Sequence, residues 1–324
     1  MRSQRNGDGE RRAAETATLV VQPGDEGRLD QFLARRVVGT SRRRARLAVA
    51  AGAVRVNGRS ARKGQVVRVH DVVAVDLPAF ESEAAPQPEL EVPILYADDA
   101  LIAVDKPAGM PSIAVRATDR DTVANYLLGR YPDLRAVGES RLEAGLVHRL
   151  DTATSGVLVA ARTAEAWRAL RAAFTARRVG KLYLAVVTGD VLRSGAIVLP
   201  IGQTAARSPK VRVPHTPAHG VTRARPALTR YRPLRRLGTA TLVAVSIATG
   251  VRHQIRAHLA AIGHPVLGDA VYADAQTAQR THRLLLHAAR LSLPHPTTGR
   301  RLRLRCRLPE DFQAVVDDLA QARR

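Results

Sequence analysis

The sequence predicts an α+β protein, with a small module of short helices and strands over residues 27–78 followed by a mixed, sheet-rich domain over residues 93–318. Three observations predict it. Apolar runs of strand length, Leu101–Val104, Val157–Ala161, Leu182–Val187 and Leu242–Ile247, alternate with windows of helical period at 163–176 and 252–262. Between Arg28 and Lys63 the chain gathers eleven basic residues against a single acid, Asp30. The two regions are separated by residues 79–92, rich in Glu and Pro, which read as a stiff acidic linker.

From the N-terminus, residues 1–26 mix charge, Gly and Thr with one brief apolar patch and read as a loosely ordered arm. Leu29, Phe32 and Leu33 have helical spacing. Ser41 is placed to cap a second helix, whose apolar face is expected from Leu47, Ala48 and Ala51. Gly52 ends that helix, Val54–Asn57 reads as a short strand, and Asn57-Gly58 is a tight-turn signal. Arg42, Arg43, Arg44 and Arg46 crowd the outer face of the second helix and repel one another unless an anion approaches. With Arg28 they form an expected nucleic-acid surface; the alternative is a solvated charged helix.

In the larger domain Leu101–Val104 leads into a bend at Lys106-Pro107-Ala108-Gly109 that would bring backbone and ammonium near a substrate, or is simply a surface turn. The helix at 163–176 turns Trp167, Leu170 and Phe174 to the core. The strand Leu182–Val187 carries Tyr183, and alternation puts Lys181 on the same side, reaching either a phosphate or solvent. The helix expected at 252–262 buries Ile255, Leu259 and Ile262, and pairs Arg252 with Arg256 and Gln254 with His258 at i,i+4 spacing. Arg301–Leu308 alternates as a half-buried strand with Cys306 on its inner side, and residues 319–324 read as a tail.

Composition points to the partner. Lys and Arg total 51 against 29 Asp and Glu, a formal charge of +22, which favours a polyanion. A coding bias toward Arg explains why only four of the basic residues are Lys, but not the net excess. The single cysteine allows no intrachain disulfide. No apolar segment follows the basic first residues, and no run of about 18 apolar residues occurs, so no signal peptide or membrane span is expected and a cytoplasmic location is. His253 and His258 are five residues apart and no C-x-x-C occurs, so no metal site is expected.

The segment Gly145-Leu-Val-His-Arg-Leu-Asp151, continuing through Thr152-Ala-Thr-Ser-Gly156 into the apolar run, carries the chemistry. It holds one carboxylate on a turn-rich loop at the mouth of a buried strand. His148 and Arg149 would favour the ionised form of Asp151 and grip an anion. An ionised Asp serves as nucleophile, base or salt-bridge partner, and taken alone this one reads first as a structural ion pair or turn cap.

This segment resembles the HRLD-x-x-TSG signature of the pseudouridine synthase family that includes the ribosomal large-subunit uridine isomerases. Asp105-Lys-Pro-Ala-Gly109, Lys181-Leu-Tyr183, Thr249–Arg256, Gly263–Asp269, Leu286–Ala289 and His295-Pro296 resemble further elements of that family in its order. Residues 28–58 are similar to the S4 RNA-binding domain. The resemblance implies a mixed, mainly antiparallel catalytic sheet, an RNA substrate and no metal or organic cofactor. It implies Asp151 as the essential residue, acting either as a nucleophile on the sugar or as a base at C2′. Arg256 would orient and neutralise Asp151, and Tyr183 would pack against a flipped base. Lys106, Lys181, His148, Arg149 and Arg252 are expected to contact RNA. Structured RNA, ribosomal rather than transfer, is the expected partner, and a monomer the expected state.

One departure stands out. Family members commonly carry T-G-R before a variable residue and HQIR, whereas this chain has Thr249-Gly250-Val251-Arg252. Arg252 on a helix lies about 100° from the usual position, which implies altered RNA contacts with the chemistry retained. A catalytically silent RNA-binding or ribosome-assembly protein is the alternative that this departure supports. An Asp-dependent hydrolase would need a second acid or base, and no paired-carboxylate spacing appears.

Overall fold

A computed structural model of the chain describes residues 16–37, 40, 42–76, 83–203, 210–213 and 222–321. These fall into two compact units, one ending at Glu83 and including Glu139–Arg141, the other comprising Ala84–Gly138 and the residues from Leu142 onward.

In the first unit the elements are β1 (Thr16–Val20), β2 (Gly27–Arg28), α1 (Leu29–Arg36), α2 (Arg42–Ala50), β3 (Val54–Val56), β4 (Arg59–Ser60), β5 (Val66–Val67) and β6 (Val72–Asp76). The larger sheet runs β1-β6-β3-β4, and β2 pairs with β5. Leu29, Phe32 and Leu33 are buried with Val54, Val73 and Val75, as the helical spacing of α1 requires. In α2 the buried stripe is Ala45, Ala48 and Val49, and Leu47 is 54% exposed. The helix begins at Arg42, and the i, i+3, i+4 set that faces the core therefore excludes Leu47. Asn57 (φ 51°) and Gly58 (φ 77°) both take the left-handed conformation that a two-residue hairpin turn demands. Residues 16–20, expected in the arm, form β1 and pair along β6 from Thr16↔Asp76 to Val20↔Val72. Arg42 and Arg46 are exposed, while Arg28 donates to Asp30 at 2.9 Å. Ser41 and the side chain of Arg43 lie outside the described residues.

The second unit contains β7 (Ile94–Ala97), β8 (Leu101–Lys106), α3 (Val123–Arg130), β9 (Ser155–Ala161), α4 (Ala164–Thr175), β10 (Gly180–Thr188), β11 (Gly195–Ile197), β12 (Ile201–Gln203), β13 (Val211–Arg212) and β14 (Thr222–Arg225). It continues with β15 (Thr229–Arg236), β16 (Ala240–Ile247), α5 (Gln254–Ala261), α6 (Ala275–Gln279), β17 (Leu286–Pro294), β18 (Arg301–Arg305) and α7 (Glu310–Gln321). A nine-stranded sheet runs β11-β15-β16-β10-β17-β9-β8-β7, with β18 also on β17. Among the described residues of this sheet only β17 and β9 run parallel; the other pairs are antiparallel. That is the mixed, mainly antiparallel sheet expected.

Part of the expected linker belongs to this unit. Ala84 is wholly buried, the Gln87 amide donates to the Asn125 carbonyl at 3.0 Å, and Asn125 Nδ2 donates to Ala85 O at 2.7 Å. Residues 77–82 lie outside the described part. At the other end α7 continues through Gln321, with Leu319 packed on the core, so the expected tail begins inside a helix. The helix at 163–176 forms as read, capped by Thr163, whose Oγ1 accepts from the Ala166 amide at 3.1 Å.

The parallel β9–β17 contact explains one glycine. Gly156 pairs with Ala288 at φ 115°, and a Cβ there would lie 2.4 Å from the Ala288 carbonyl oxygen. The Ser155-Gly156 step thus lets β9 lie against β17, which fixes the start of β9 and with it the loop that carries Asp151.

Candidate active site

The Asp151 loop is pinned through its backbone. Leu150 N–H donates to Ser112 Oγ at 3.0 Å, Ser112 Oγ donates back to Leu150 O at 2.9 Å, and Gly109 N–H donates to Thr152 O at 2.9 Å. These bonds leave the Asp151 side chain free to face a pocket of about 420 Å³, whose lining includes Asp151, Tyr183, Arg149, Val251, Arg252 and Arg256. Ile201, Val211 and Arg225 of the small sheet β13-β12-β14 close another side. Tyr183 reaches the pocket from β10 and is 9% exposed, and burial beside Asp151 pushes its hydroxyl well above the ordinary range.

Arg256 is brought to Asp151, but they are not each other's main partners. Arg256 Nη1 stands 3.6 Å from Asp151 Oδ2, beyond hydrogen-bond length. Its Nε and Nη2 instead bind Asp269 Oδ2 and Oδ1 at 2.7 and 2.6 Å. Asp269 also accepts from the amides of Val271 and Tyr272 at 2.9 and 3.1 Å. Burial pushes this carboxyl up, but Arg256 and the two amides outweigh it and hold it below the usual range. The Arg256 guanidinium lies 5.3 Å from the Tyr272 ring centre. It is therefore fixed by two bonds to Asp269 and by the Tyr272 ring before any substrate enters.

His253 and Tyr272 complete the wall. His253 Nε2 is 3.9 Å from Asp151 Oδ1, and its Nδ1 is 3.0 Å from Tyr272 Oη, which accepts from the Val211 amide at 2.9 Å. Burial, then the neighbouring Arg256 and Arg252, lower the pKa of His253 against the pull of Asp151, favouring the uncharged ring. Asp269, His253 and Tyr272 were not singled out for roles by the sequence reading. The Gly263–Asp269 resemblance held a signal for the first, though not for its bond to Arg256.

Three expected contacts change. His253 takes φ 55° and α5 starts at Gln254, so Arg252 precedes the helix and shares no helical face with Arg256. It still lines the pocket, as does the exposed Arg149. Gln254 and His258 are buried, and their i,i+4 spacing brings both to Thr229 Oγ1, a tie inside the fold. His148 does not grip an anion. Its ring stacks on Phe174 at 4.8 Å, its Nε2 accepts from the Val159 amide at 3.1 Å, and burial together with Lys181 and Arg171 holds its pKa far below the ordinary value.

Lys106 also lies inside rather than at the surface. It is wholly buried, and Nζ donates to the carbonyls of Pro107, Met110 and Thr152 at 2.7, 2.6 and 3.0 Å. Burial lowers its pKa to about 7, with Asp151 opposing the shift, but three acceptors match the three hydrogens of the charged form. Lys106→Met, similar in length, is expected to destabilise the larger unit by about 2–4 kcal/mol, because carbonyls lose their donor. Calorimetry should show its transition lowered by roughly 5–15 °C; an unchanged transition would mean the brace contributes nothing. Lys181 stays at the rim, its Nζ 3.5 Å from Thr249 O and 5.7 Å from the Phe174 ring centre.

Comparison with known proteins agrees with this geometry. Residues 100–261 match the model of the RNA pseudouridylate synthase family, and residues 27–73 match that of the S4 domain. An uncharacterized RNA pseudouridine synthase of Chloroflexus aurantiacus is 38% identical over 307 residues, covering 94% of each chain. Ribosomal large subunit pseudouridine synthase D of Pseudomonas aeruginosa is 35% identical over 314 residues, covering 91% of this chain and 93% of that one. Among solved structures, human RNA pseudouridylate synthase domain containing 4 is 26% identical with a TM-score of 0.56, covering 71% of this chain and 93% of its own. The likeness in sequence runs through the Asp151 loop, the Tyr183 strand and the Arg256 helix alike, and the chain belongs to the RNA pseudouridylate synthase family.

Proposed function

We propose that this enzyme acts on specific uridines of large-subunit ribosomal RNA, with Asp151 as the reacting carboxylate, Tyr183 holding the base and Arg256 the charge that orients Asp151. The observation that carries the reading is a partly exposed carboxylate, the one acid among the described lining residues, at the mouth of a pocket that also presents a buried tyrosine ring and a fixed guanidinium. Isomerisation breaks an N-glycosidic bond, turns the uracil and joins C5 to C1′. Both routes open to Asp151, attack at C1′ or proton removal at C2′, require an ionised carboxylate.

The target atoms are shielded in folded RNA, so the base must leave its stack and be received by a flat, polar-tipped side chain such as Tyr183. Arg149 and Arg252 on the rim would meet the flanking phosphates, and Lys181 stands near them. Ribosomal RNA as the class is supported by the name of the Pseudomonas aeruginosa relative and by the basic S4-like unit ahead of the catalytic one. A silent RNA-binding protein would have no need for a guanidinium fixed by Asp269 and Tyr272 beside a second, partly exposed carboxylate. Mapping pseudouridine in total RNA with and without the gene tests the reading. Loss of sites in large-subunit RNA is expected, and loss confined to transfer RNA would replace the substrate class.

Anchoring and chemistry should separate. Removing residues 1–83, up to the start of the Ala84-containing core, is expected to leave a folded catalytic unit that binds long structured RNA more weakly and with a shallower salt dependence. Affinity at several salt concentrations, with single-turnover rates at saturating RNA, measures this. Unchanged affinity and slope would make the arginine-rich unit an appendage.

A further inference from the structure

A second groove opens beside the active pocket. It encloses about 700 Å³, and its lining includes Arg177, Arg178, Lys181, Arg230, Arg290 and Arg301, with no Asp or Glu among the described lining residues. All five arginines are exposed, and none forms an ion pair with a described carboxylate.

The sheet register explains how they gather. Arg230 pairs with Ser246, Ser246 with Leu182, Leu182 with Arg290, and Arg290 with Arg305. Cross-strand partners share a face, so Arg230, Arg290 and Arg305 stand in one transverse row over β15, β17 and β18, with Arg230 and Arg290 lining the groove and Arg305 extending the row beyond its lining. Tyr183 is the next residue along β10 and points to the other face. Arg290 and Arg305 are directly opposed like charges, a pairing that weakens a sheet unless an anion lies between them. Arg301 is held in place by its Nε bond to Ser292 Oγ at 2.8 Å and its Nη1 bond to Arg178 O at 2.7 Å.

The groove is continuous with the active pocket. Ile247 lines both, and Lys181 lines the groove while its ammonium lies toward Thr249, next to the pocket-lining Gly250. A chain leaving the pocket would round the ends of β10 and β16, where Ile247 lines both cavities, to reach the arginine row.

We propose that this groove holds the phosphodiester backbone of the RNA flanking the target nucleotide, an inference that rests on the RNA substrate class given above. Phosphates fit the row because each offers an anionic oxygen to a guanidinium fork, and a polyanion relieves the Arg290–Arg305 repulsion along the whole row at once. The RNA on either side of the target uridine supplies those phosphates; a uridine mononucleotide does not.

The test is the triple variant Arg230→Gln, Arg290→Gln, Arg305→Gln. These side chains are exposed and two of them repel, so melting should be unchanged or raised, and calorimetry confirms that the variant is folded. With an in-vitro transcript of the ribosomal RNA domain bearing the target, affinity should fall roughly ten- to a hundred-fold and the slope of log affinity against log salt should flatten by about 2. Uridine 5′-monophosphate, which has no flanking phosphates, should bind both proteins alike. Equal affinity and slope on the long transcript would overturn the groove assignment and leave it a solvated face or a protein-binding one. An equal loss with uridine 5′-monophosphate would also overturn it, placing these arginines at the target itself. Product formation by the unaltered enzyme on the long transcript tests the substrate class separately: no product with an intact difference in affinity fails the substrate and keeps the groove.

Discussion

Asp151→Asn is expected to lower pseudouridine formation by at least about 10⁴-fold while changing RNA affinity by less than about tenfold. The amide keeps the size of the side chain and removes both its nucleophilicity and its basicity. The loop should hold its shape, because the bonds that pin it run through the backbones of Leu150 and Thr152, and the Asp151 carboxylate lies 3.6 Å from Arg256 and 3.9 Å from His253 without a hydrogen bond to either. The measurement is release of label from C5 of uridine in intact RNA, alongside binding by the same variant. Substantial release by a clean Asn variant would remove Asp151 from the chemistry. Affinity lost together with activity would instead show that the carboxylate organises the binding surface.

Much of this site was legible because its parts are local. An apolar run preceded by turn formers marks a strand with a loop at its mouth, and Asp151 sits in such a loop before β9. Tyr183 is carried by a run of strand length, and alternation alone gives its side of β10. The two-residue turn at Asn57-Gly58 was visible for the same reason, since the two residues themselves favour positive φ.

What escaped depends on long-range assembly. Lys106 looked like a surface lysine because the carbonyl of Thr152, 46 residues away, becomes its acceptor only once β8 and β9 pair. His148 looked like an anion grip because nothing local shows that its ring will stack on Phe174. Arg252 was read onto α5 because an unbroken helical period covers it, and a histidine gives little warning of the left-handed conformation that delays the helix to Gln254. The sheet β13-β12-β14 has strands of two to four residues, too short for any period to show. Asp269 follows a positive-φ glycine, Gly268, in a tight turn, and its value lies wholly in a partner on another element.

That partner sets the second large effect. Arg256→Ala is expected to lose nearly all activity, but it also leaves the Asp269 carboxylate, wholly buried in its side chain, without a counter-charge, at a cost of about 3–5 kcal/mol of stability. Loss of activity in that variant alone therefore cannot distinguish an oriented guanidinium from a damaged fold. Arg256→Lys keeps the charge and gives up the two-pronged hold on Asp269, so the cation is no longer fixed 3.6 Å from Asp151. Its single-turnover rate should fall roughly 10²–10³-fold with a smaller loss of stability. The double change Arg256→Met, Asp269→Leu removes both charges from the interior and should recover much of the stability lost by Arg256→Ala, since an apolar pair of similar volume replaces a buried ion pair at little cost. It should recover no activity. Thermal unfolding and single-turnover rates measured on all three variants give the decisive pattern: stability restored and chemistry absent assigns Arg256 to Asp151 and makes Asp269 its positioning residue. A folded Arg256→Lys enzyme with normal turnover, or chemistry that returns with stability in the double variant, would show that this buried pair only holds the fold, and the pocket-lining Arg252 would become the cation to test.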